Sequence, residues 1–424
     1  MTDLAWINAA MTAARPQAIG ALLRYFRDLD TAEEAFQDAC LRALANWEKN
    51  GPPRDPTAWL IMVGRNAALD GVRKRSRQTE LPPEEMISDL EDVEERVVQQ
   101  VDAADYRDDV LRLLFICCHP DLPATQQIAL ALRIVSGLTV RQIARAFLVS
   151  EAAMEQRITR AKARVADADV PFETPGPVER SERVAAVLAM VYLVFNEGYS
   201  AGDEPQRAQL CAEAIRLGRL LLRLFQTEPE VMGLLALMLL QHSRTPARFA
   251  EDGSAVLLDD QDRGLWDRKM INEGVALIDK AVRHRQPGVY QVQAAIASLH
   301  AQAATPADTD WAQIERLYAT LERLQPSPVV TLNRAVALSK VAGPQAALDL
   351  VQPLGERLGG YFYFHGLRGA MFLELGDHAA AHEAFSRAIS LATTAAEAAH
   401  IRQHLDRLEA DHGGAKKSSG AVST

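Results

Sequence analysis

A repeat with a period of 34 residues near the end of the chain restricts the fold more than any other feature of the sequence. Four small or apolar positions recur in it, as the pairs Ala335 and Gly369, Leu338 and Phe372, Ala347 and Ala381, and Val351 and Phe385. Small residues at 369 and 381 allow two helices to approach closely, and the two phenylalanines fill the space between repeats. The period is that of the tetratricopeptide (TPR) unit, which is a helix–turn–helix.

The rest of the C-terminal half continues in a helical pattern, almost without interruption from Ser181 to about Ala410. Two clear repeats are fewer than a free-standing solenoid needs, so we expect upstream helices to stack on them. Aromatic residues make up only 6% of the chain, while Ala and Leu are abundant, which favours helix over sheet. The sequence therefore predicts an all-α chain with a TPR-like domain at 181–412 and a disordered tail at 413–424.

The first 80 residues are also expected to form a helical domain. Thr31, with Glu34 three residues later, predicts a capping box at the start of a helix through AEEAFQDACLRALANW. The Gly- and Pro-rich segment KNGPPRDP must then be a loop. The next segment, TAWLIMVGRNAALDGVRKRSR, predicts a helix that begins apolar and ends in the cations Arg73, Lys74, Arg75 and Arg77.

Residues 137–162, GLTVRQIARAFLVSEAAMEQRITRAK, have the pattern of a helix-turn-helix. Thr139 is expected to cap the first helix, and Ser150 is expected to cap a second helix that buries Met154 and Ile158. The exposed side of the second helix carries residues suited to base edges and phosphates: Gln156, Arg157, Arg160, Lys162 and Arg164. The pattern favours DNA binding, and the alternative is an ordinary helical hairpin.

The formal net charge of −10 is unevenly distributed along the chain. Residues 1–80 hold 11 Lys and Arg against 10 Asp and Glu, and residues 110–180 hold 9 against 7. Residues 81–109, in contrast, hold 2 against 11. We therefore expect an acidic linker at 81–104. The helix-turn-helix domain is expected to follow at 105–168, and a second, Pro-rich linker is expected at 169–180. The overall acidity does not argue against DNA binding, because the footprint of a DNA-binding protein is local.

Several classes of protein are not expected. The N-terminus has no signal-peptide pattern, and apolar runs such as Val231–Leu240 are too short to span a bilayer, so we expect no membrane association. The four cysteines have no paired spacing, which suits the cytoplasm, and the segment CCHP at 117–120 predicts core packing rather than a metal site. Nucleotide-binding, zinc-protease and serine-hydrolase motifs are missing, so we expect no enzymatic activity, cofactor or metal.

Two separate blocks in the N-terminal half resemble the extracytoplasmic-function (ECF) sigma factors of bacterial RNA polymerase. TAEEAFQDACLRAL is similar to the polymerase-binding helix of that family, and PTAWLIMVGRNAALDGVRKRSR is similar to its −10 recognition helix. The helix-turn-helix pattern then resembles sigma region 4. The segments FICCHPDLP, VYLVFNEGYSA, LLDDQDRGLWD, DTDWAQI and SPVVTLNRAVAL resemble the branch of the family that carries a large C-terminal TPR-like domain.

The resemblance implies specific site residues. Core polymerase, its β′ subunit in particular, would be bound through Gln37, Asp38 and Arg42. The single-stranded −10 element would be held by a loop from Trp47 to Thr57 and by the positions Trp47, Arg65, Asn66, Arg73, Lys74 and Arg75. The −35 element would be read by Glu155, Gln156, Arg157, Thr159 and Arg160, although the family commonly has a basic residue where this chain has Glu155.

Two further segments have open interpretations. Asn196, Glu197 and Tyr199 could hold a ligand or face the sigma domains, or they could belong to a helix end capped by Gly198 in the left-handed conformation. The segment 257–267, LLDDQDRGLWD, holds four carboxylates and a Trp of a buried type. It could be a Ca²⁺-like site, but a structured acidic loop or an interdomain contact fits its composition better.

These patterns leave more than one function open. The first is a sigma factor that binds RNA polymerase core through its β′ and β subunits, recognises promoter DNA and is regulated by its own TPR-like domain, which could bind a protein partner. The second is a helix-turn-helix regulator with a TPR-type sensor that is not a polymerase subunit. The third is a TPR scaffold that uses the N-terminal helices only for protein contacts.

Overall fold

The computed structural model describes residues 5–51, 53–76, 103–147, 149–167, 177–199, 205–250, 256–392, 401–402 and 405. For residue 5 and within residues 68–76, 103–108, 177–181 and 205–208 it describes the backbone alone. The described chain contains helices and no β-strand, which confirms the predicted all-α fold. The acidic linker at 81–104, the Pro-rich linker at 169–180 and the tail at 413–424 lie outside the described residues, apart from residues 103–104 and 177–180.

The N-terminal part of the chain contains the helices α1 (Ala5–Phe26), α2 (Leu29–Asn50), α3 (Pro56–Ser76), α4 (Ala103–Cys117), α5 (Ala124–Ile134), α6 (Val140–Ala146), α7 (Glu151–Asp167), α8 (Pro177–Tyr199) and α9 (Pro205–Leu224). The remainder contains α10 (Pro229–His242), α11 (Arg268–Val282), α12 (Val289–Gln302), α13 (Trp311–Leu324), α14 (Pro328–Ala342), α15 (Pro344–Val351), α16 (Gly355–Leu358), α17 (Phe362–Glu374) and α18 (His378–Leu391).

The chain divides into two compact units, an N-terminal unit of Met1–Leu224 and a C-terminal unit of Phe225–Thr424. This division falls later than the linker predicted at 169–180. Helices α8 and α9 pack against each other, and together they contact α4, α5 and α6 of the same unit. One of these contacts places the guanidinium of Arg183 5.8 Å from the ring centre of Phe115, which is 3% exposed.

The start of α2 differs from the prediction. The helix begins at Leu29, and the carboxylate of Asp28 accepts a hydrogen bond of 2.7 Å from the backbone N–H of Thr31. Asp28 is therefore the N-cap and Thr31 is the third residue of the helix. Asp is as good an N-cap as Thr, and starting the helix earlier adds Leu29 to the buried face.

The predicted 34-residue repeat is visible in the C-terminal unit as two helix pairs. Helices α14 and α17 begin 34 positions apart, at Pro328 and Phe362, and α15 and α18 begin 34 positions apart, at Pro344 and His378. The small residues of the repeat lie inside the helical packing. Ala335, Ala347 and Ala381 are completely buried.

Gly369 shows why a small residue is needed between α17 and α18. A Cβ atom at this position would lie 2.5 Å from Cδ1 of Phe385, closer than carbon atoms can approach without displacement. We expect Gly369→Ala to reduce the free energy of unfolding by about 1–3 kcal/mol, because the ring or the helix must shift. Urea denaturation of the purified protein measures this loss.

Gly366 provides the matched control on the same helix. A Cβ there would lie 3.6 Å from Cδ1 of Ile401, which is an ordinary contact. Gly366→Ala should therefore stabilise the protein by up to about 1 kcal/mol through helix propensity. Equal effects of the two substitutions would contradict a steric role for Gly369.

Candidate nucleic-acid and polymerase interface

The outward side of α2 carries the residues predicted to bind core polymerase. Gln37, Asp38 and Arg42 are all exposed, and between them Leu41 is 66% exposed. We call these four residues the docking face. The opposite side of α2 is buried in the core of α1–α3, so the helix is held rigidly and presents this face to solvent. The docking face therefore presents one apolar side chain and charges of both signs to solvent.

Helix α3 places part of the predicted −10 surface. Arg65 and Asn66 are exposed, and the guanidinium of Arg65 lies 4.3 Å from the ring centre of Tyr25 on α1. This stacking fixes the direction of Arg65 and leaves the aromatic ring beside a cation, a combination that suits a single-stranded nucleic acid. Arg73, Lys74 and Arg75 lie in the last turns of α3, and their side chains lie outside the described residues.

Trp47 does not lie on this surface. It is 1% exposed and belongs to α2, which continues to Asn50 through the start of the predicted loop. Its ring centre lies 6.3 Å from that of Trp6 and 5.3 Å from that of Trp59. The large apolar ring completes the core where α1, α2 and α3 meet, so a base cannot contact it in this conformation. This placement differs from the sequence prediction, which grouped Trp47 with the −10 residues.

The helix-turn-helix forms as predicted from its caps. The side chain of Thr139 accepts a hydrogen bond of 3.2 Å from the backbone N–H of Gln142, whose side chain accepts one of 2.8 Å from the backbone N–H of Thr139. Ser150 Oγ accepts a hydrogen bond of 3.2 Å from the backbone N–H of Ala153 at the start of α7. Gly137, which precedes the motif, has a φ of 75°, a conformation that favours glycine.

Helix α7 separates a buried side from an exposed side. Met154, Ile158 and Ala161 are buried, which confirms the two core residues predicted for this helix. Arg157 is half-buried. The predicted −35 residues Glu155, Gln156, Thr159 and Arg160 are all exposed, and we call these four the reading face. Their position on the second helix of the motif is the one that enters a major groove.

A buried ionic cluster links α2 to the helix-turn-helix domain. The side chain of Glu33 on α2 is 5% exposed, and its carboxylate lies 2.7 Å from Nη2 of Arg133 and 2.9 Å from Nζ of Lys162. Nη2 of Arg15 lies 3.5 Å from the same carboxylate, and Arg15 Nε donates a hydrogen bond of 2.9 Å to the carbonyl of Ile134. Asp30 adds a second carboxylate, 2.5 Å from Nζ of Lys162.

The pKa values of two cations in this cluster are shifted in opposite directions. Burial alone would lower the pKa of Lys162, but its hydrogen bonds to Asp30 and Glu33 raise the pKa above the usual value. Burial also lowers the pKa of Arg15, and the charge of Glu33 opposes that shift. Glu33, Arg15 and Arg133 belong to no motif of the sequence, because they are distant along the chain and only the tertiary structure brings them together.

The segment around Gly198 is helical throughout. Asn196, Glu197 and Tyr199 belong to the last turn of α8 and are half-buried, and the ring of Tyr199 stacks on Phe195 at 5.5 Å. Gly198 lies within the helix and is not among the described glycines with positive φ, so the left-handed cap is wrong. The structure does not assign a ligand to these three residues.

The acidic segment 257–267 forms two short 3₁₀ turns, Leu258–Asp260 and Arg263–Leu265. Two of its carboxylates cap local structure: Asp262 accepts from the backbone N–H of Gly264, and Asp267 accepts from those of Lys269 and Met270. Trp266 is 2% exposed, as its type predicted. In the part of the chain that the structure describes, no three His, Cys, Asp or Glu side chains are grouped to hold a metal ion.

Family models match the two parts of the chain that hold these helices. Residues 11–78, which include all of α2 and α3, match the family described as Sigma-70 region 2. Residues 112–165 match the family described as Sigma-70, region 4. Residues 183–282 match a family of unknown function (DUF6596). None of the described helices is both long and apolar enough to cross a membrane.

An uncharacterized protein of Rhizobium meliloti (strain 1021) is 68% identical to this chain over 413 residues, which cover 97% of this chain and 98% of the relative. The two sigma-70 domains occur in the order expected of a sigma factor, with region 2 before region 4. The chain therefore belongs to the same family as the Rhizobium protein, and its region 2 and region 4 domains identify it as an RNA polymerase sigma factor of the ECF type.

Proposed function

We propose that the protein docks on the β′ subunit of core RNA polymerase through α2, holds the single-stranded −10 element along α3 and reads the −35 element with α7, in contact with the β subunit. The observation that carries this proposal is the pairing, in one chain, of an exposed docking face on α2 with an exposed reading face on α7. A regulator that acted on duplex DNA alone would need only the second of these. The proposed site of action is the cytoplasm, where RNA polymerase is located.

The residues of the docking face fit this role by their chemistry. Asp38 and Arg42 are separated by one helical turn and lie on the same side of α2, with Leu41 beside them. An apolar anchor flanked by charges of both signs gives affinity through burial and orientation through the charges. The positions of Arg65 and Asn66 on α3 similarly suit the backbone of a single strand.

We also propose that the C-terminal half, with its TPR-like repeat, regulates the sigma domains or docks a protein partner. The supporting observation is that α8 and α9 pack against α4–α6 and so contact region 4. The family of unknown function begins at residue 183, inside α8, so its first helices are those that contact region 4. A change in α8 or α9 can therefore reach the DNA-reading domain through direct packing.

The proposal predicts a loss of initiation when the docking face is changed. We expect Arg42→Ala to reduce run-off transcription with purified core polymerase by roughly tenfold, because truncation of an interface anchor costs on the order of 1–2 kcal/mol. Binding of duplex DNA without core polymerase provides the control, and it should be the same for the variant and the wild-type protein. A wild-type protein that neither co-elutes with core polymerase nor initiates would contradict the proposal and favour a regulator that is not a polymerase subunit.

A further inference from the structure

We propose that the C-terminal unit has a binding site for a small carboxylate, centred on the guanidinium of Arg263 in the segment 257–267. Arg263 lies outside both sigma-70 domains, and neither the docking face nor the reading face includes it. The proposal does not rest on the proposed function, because the site belongs to the C-terminal unit and its test needs neither polymerase nor DNA.

One nitrogen of the Arg263 guanidinium is held by protein carbonyls. Nη1 donates hydrogen bonds of 2.8 Å and 2.7 Å to the carbonyl oxygens of His300 and Ala303, at the C-terminal end of α12. A cation is favourable at this end of a helix, because the last carbonyls have no partner within the helix. These two bonds fix the position of the guanidinium and use only one of its three nitrogens.

The other two nitrogens form an edge without a partner. Arg263 is 7% exposed, and in the described part of the chain no acceptor lies within hydrogen-bonding distance of Nε or Nη2. In arginine the N–H bonds on this edge run parallel, and such a pair of donors matches the two oxygens of a carboxylate. The structure therefore presents a buried and preoriented carboxylate fork.

Three residues near Arg263 also have a buried polar atom that is unpaired within the described ranges. These atoms are Nε1 of Trp266, Nδ1 of His300 and Oγ1 of Thr309. The ring centre of Trp266 lies 5.0 Å from Cζ of Arg263, and Thr309 directly follows Asp308, whose charge acts on the guanidinium. Buried polar groups are normally paired, so this concentration indicates a site that a polar ligand completes.

The ligand must carry a negative charge. A guanidinium stays protonated at any pH at which proteins are folded. Water can satisfy its N–H groups but cannot neutralise a buried positive charge, and an unneutralised buried charge is costly. Burial lowers the pKa of Arg263, and the charges of Asp259 and Asp308 oppose that shift. Neither carboxylate accepts a hydrogen bond from Nε or Nη2, so the fork remains available to an anion.

The surrounding charges favour a ligand with one negative charge over a ligand with two. The groups that act electrostatically on the Arg263 guanidinium are two aspartates and two further arginines: Asp259, Asp308, Arg244 and Arg268. Together with Arg263 they leave one positive charge in excess, which a carboxylate neutralises and a phosphate dianion overcompensates. His300 adds no charge, because burial and the charges of Arg244 and Arg263 lower its pKa to about 4 and leave the ring neutral at pH 7.

The site joins three parts of the C-terminal unit: the segment 257–267, the end of α12 and the turn that precedes α13. A carboxylate bound there would bridge these parts and stabilise the unit, because it binds only when they are assembled. The exposed side chains of Leu257 and Leu265 show that the segment 257–267 lies at the protein surface. A local opening of this segment gives a small ligand access to the fork.

The test is a titration of the full-length protein with sodium acetate, with sodium chloride at equal ionic strength as the reference. The indole N–H of Trp266 reports binding in a proton–nitrogen correlation spectrum of protein that is isotopically labelled at its five tryptophans. We expect the Trp266 signal to shift and to saturate at acetate concentrations on the order of millimolar. The signals of Trp6, Trp47 and Trp59, which belong to the N-terminal unit, should stay unchanged. A Trp266 signal that responds to acetate no more than to chloride overturns the proposal.

Arg263→Lys tests the fork itself, because it keeps the positive charge and replaces two parallel donors with one ammonium group. We expect it to weaken acetate binding by about tenfold or more. Arg283→Lys is the matched control at an exposed arginine of the same unit, and it should bind acetate as the wild-type protein does. Equal acetate affinities of the Arg263→Lys and wild-type proteins contradict the proposal. Circular dichroism checks that Arg263→Lys is folded, and the wild-type titration decides the matter if it is not.

Inorganic phosphate distinguishes the two kinds of oxyanion. At equal ionic strength we expect phosphate to shift the Trp266 signal less than acetate does, because of its second negative charge. Phosphate that binds more tightly than acetate, and that loses affinity in Arg263→Lys, overturns the assignment to a carboxylate. If acetate binds as expected while the protein fails to support transcription, the site stands and only the proposed function fails.

Discussion

Trp47→Ala is expected to reduce the free energy of unfolding by about 3–5 kcal/mol, which is the usual cost of deleting a large buried aromatic side chain. The ring is 1% exposed and lies between Trp6 and Trp59, where α1, α2 and α3 meet. Its removal leaves a cavity that rigid helices cannot close. Chemical denaturation, followed by circular dichroism, measures the change as an earlier unfolding transition of the N-terminal unit.

Two comparisons make this prediction specific. Trp47→Phe keeps most of the apolar ring and should cost clearly less than the alanine substitution. Trp6→Ala should also cost less, because Trp6 stacks on Trp47 but is 38% exposed and has less burial to lose. A Trp47→Ala protein that keeps full stability and loses only its binding of single-stranded DNA would show that Trp47 belongs to the −10 surface after all.

Truncation after residue 170 is expected to destabilise region 4, whereas truncation after residue 224 is expected to leave it folded. The first truncation removes α8 and α9, which pack against α4, α5 and α6. Each large apolar side chain that loses its cover costs about 1.5–3 kcal/mol, and a domain has a total stability of only about 5–15 kcal/mol. Exposing two or three such side chains therefore removes much of the stability of the domain.

Hydrogen exchange at α4–α6 measures this difference directly. The fragment 1–224 should protect these helices as the full-length protein does, and the fragment 1–170 should exchange them much faster. Equal protection in the two fragments would show that α8 and α9 contribute nothing to region 4.

The boundary at residue 224 also determines which fragment can test a regulatory role of the C-terminal unit. A fragment that ends at 170 combines loss of the C-terminal domain with damage to the DNA-reading domain, so its inactivity has two explanations. The fragment 1–224 removes the C-terminal unit alone. Higher transcription by 1–224 than by the full-length protein would indicate an inhibitory C-terminal unit, and lower transcription would indicate a required one.

The sequence by itself determined the features that depend on local spacing. Helical periodicity, the repeat period and the caps at Thr139 and Ser150 follow from interactions between residues a few positions apart, and the structure confirms them. The same holds for the burial of Met154 and Ile158, which the amphipathic pattern of α7 specifies.

Other features were decided only by the tertiary structure. Trp47 lies in the core and not at a DNA surface because Trp6 and Trp59 arrive beside it from two other helices. Glu33 is a buried ion-pair partner because Arg133 and Lys162, about 100 or more positions later, are folded against it. Local patterns show which face of a helix is polar, but they do not show which distant charge that face will meet. That partner is selected by packing across the whole unit, which is why the ion pairs between α2 and α7 belong to no motif of the sequence.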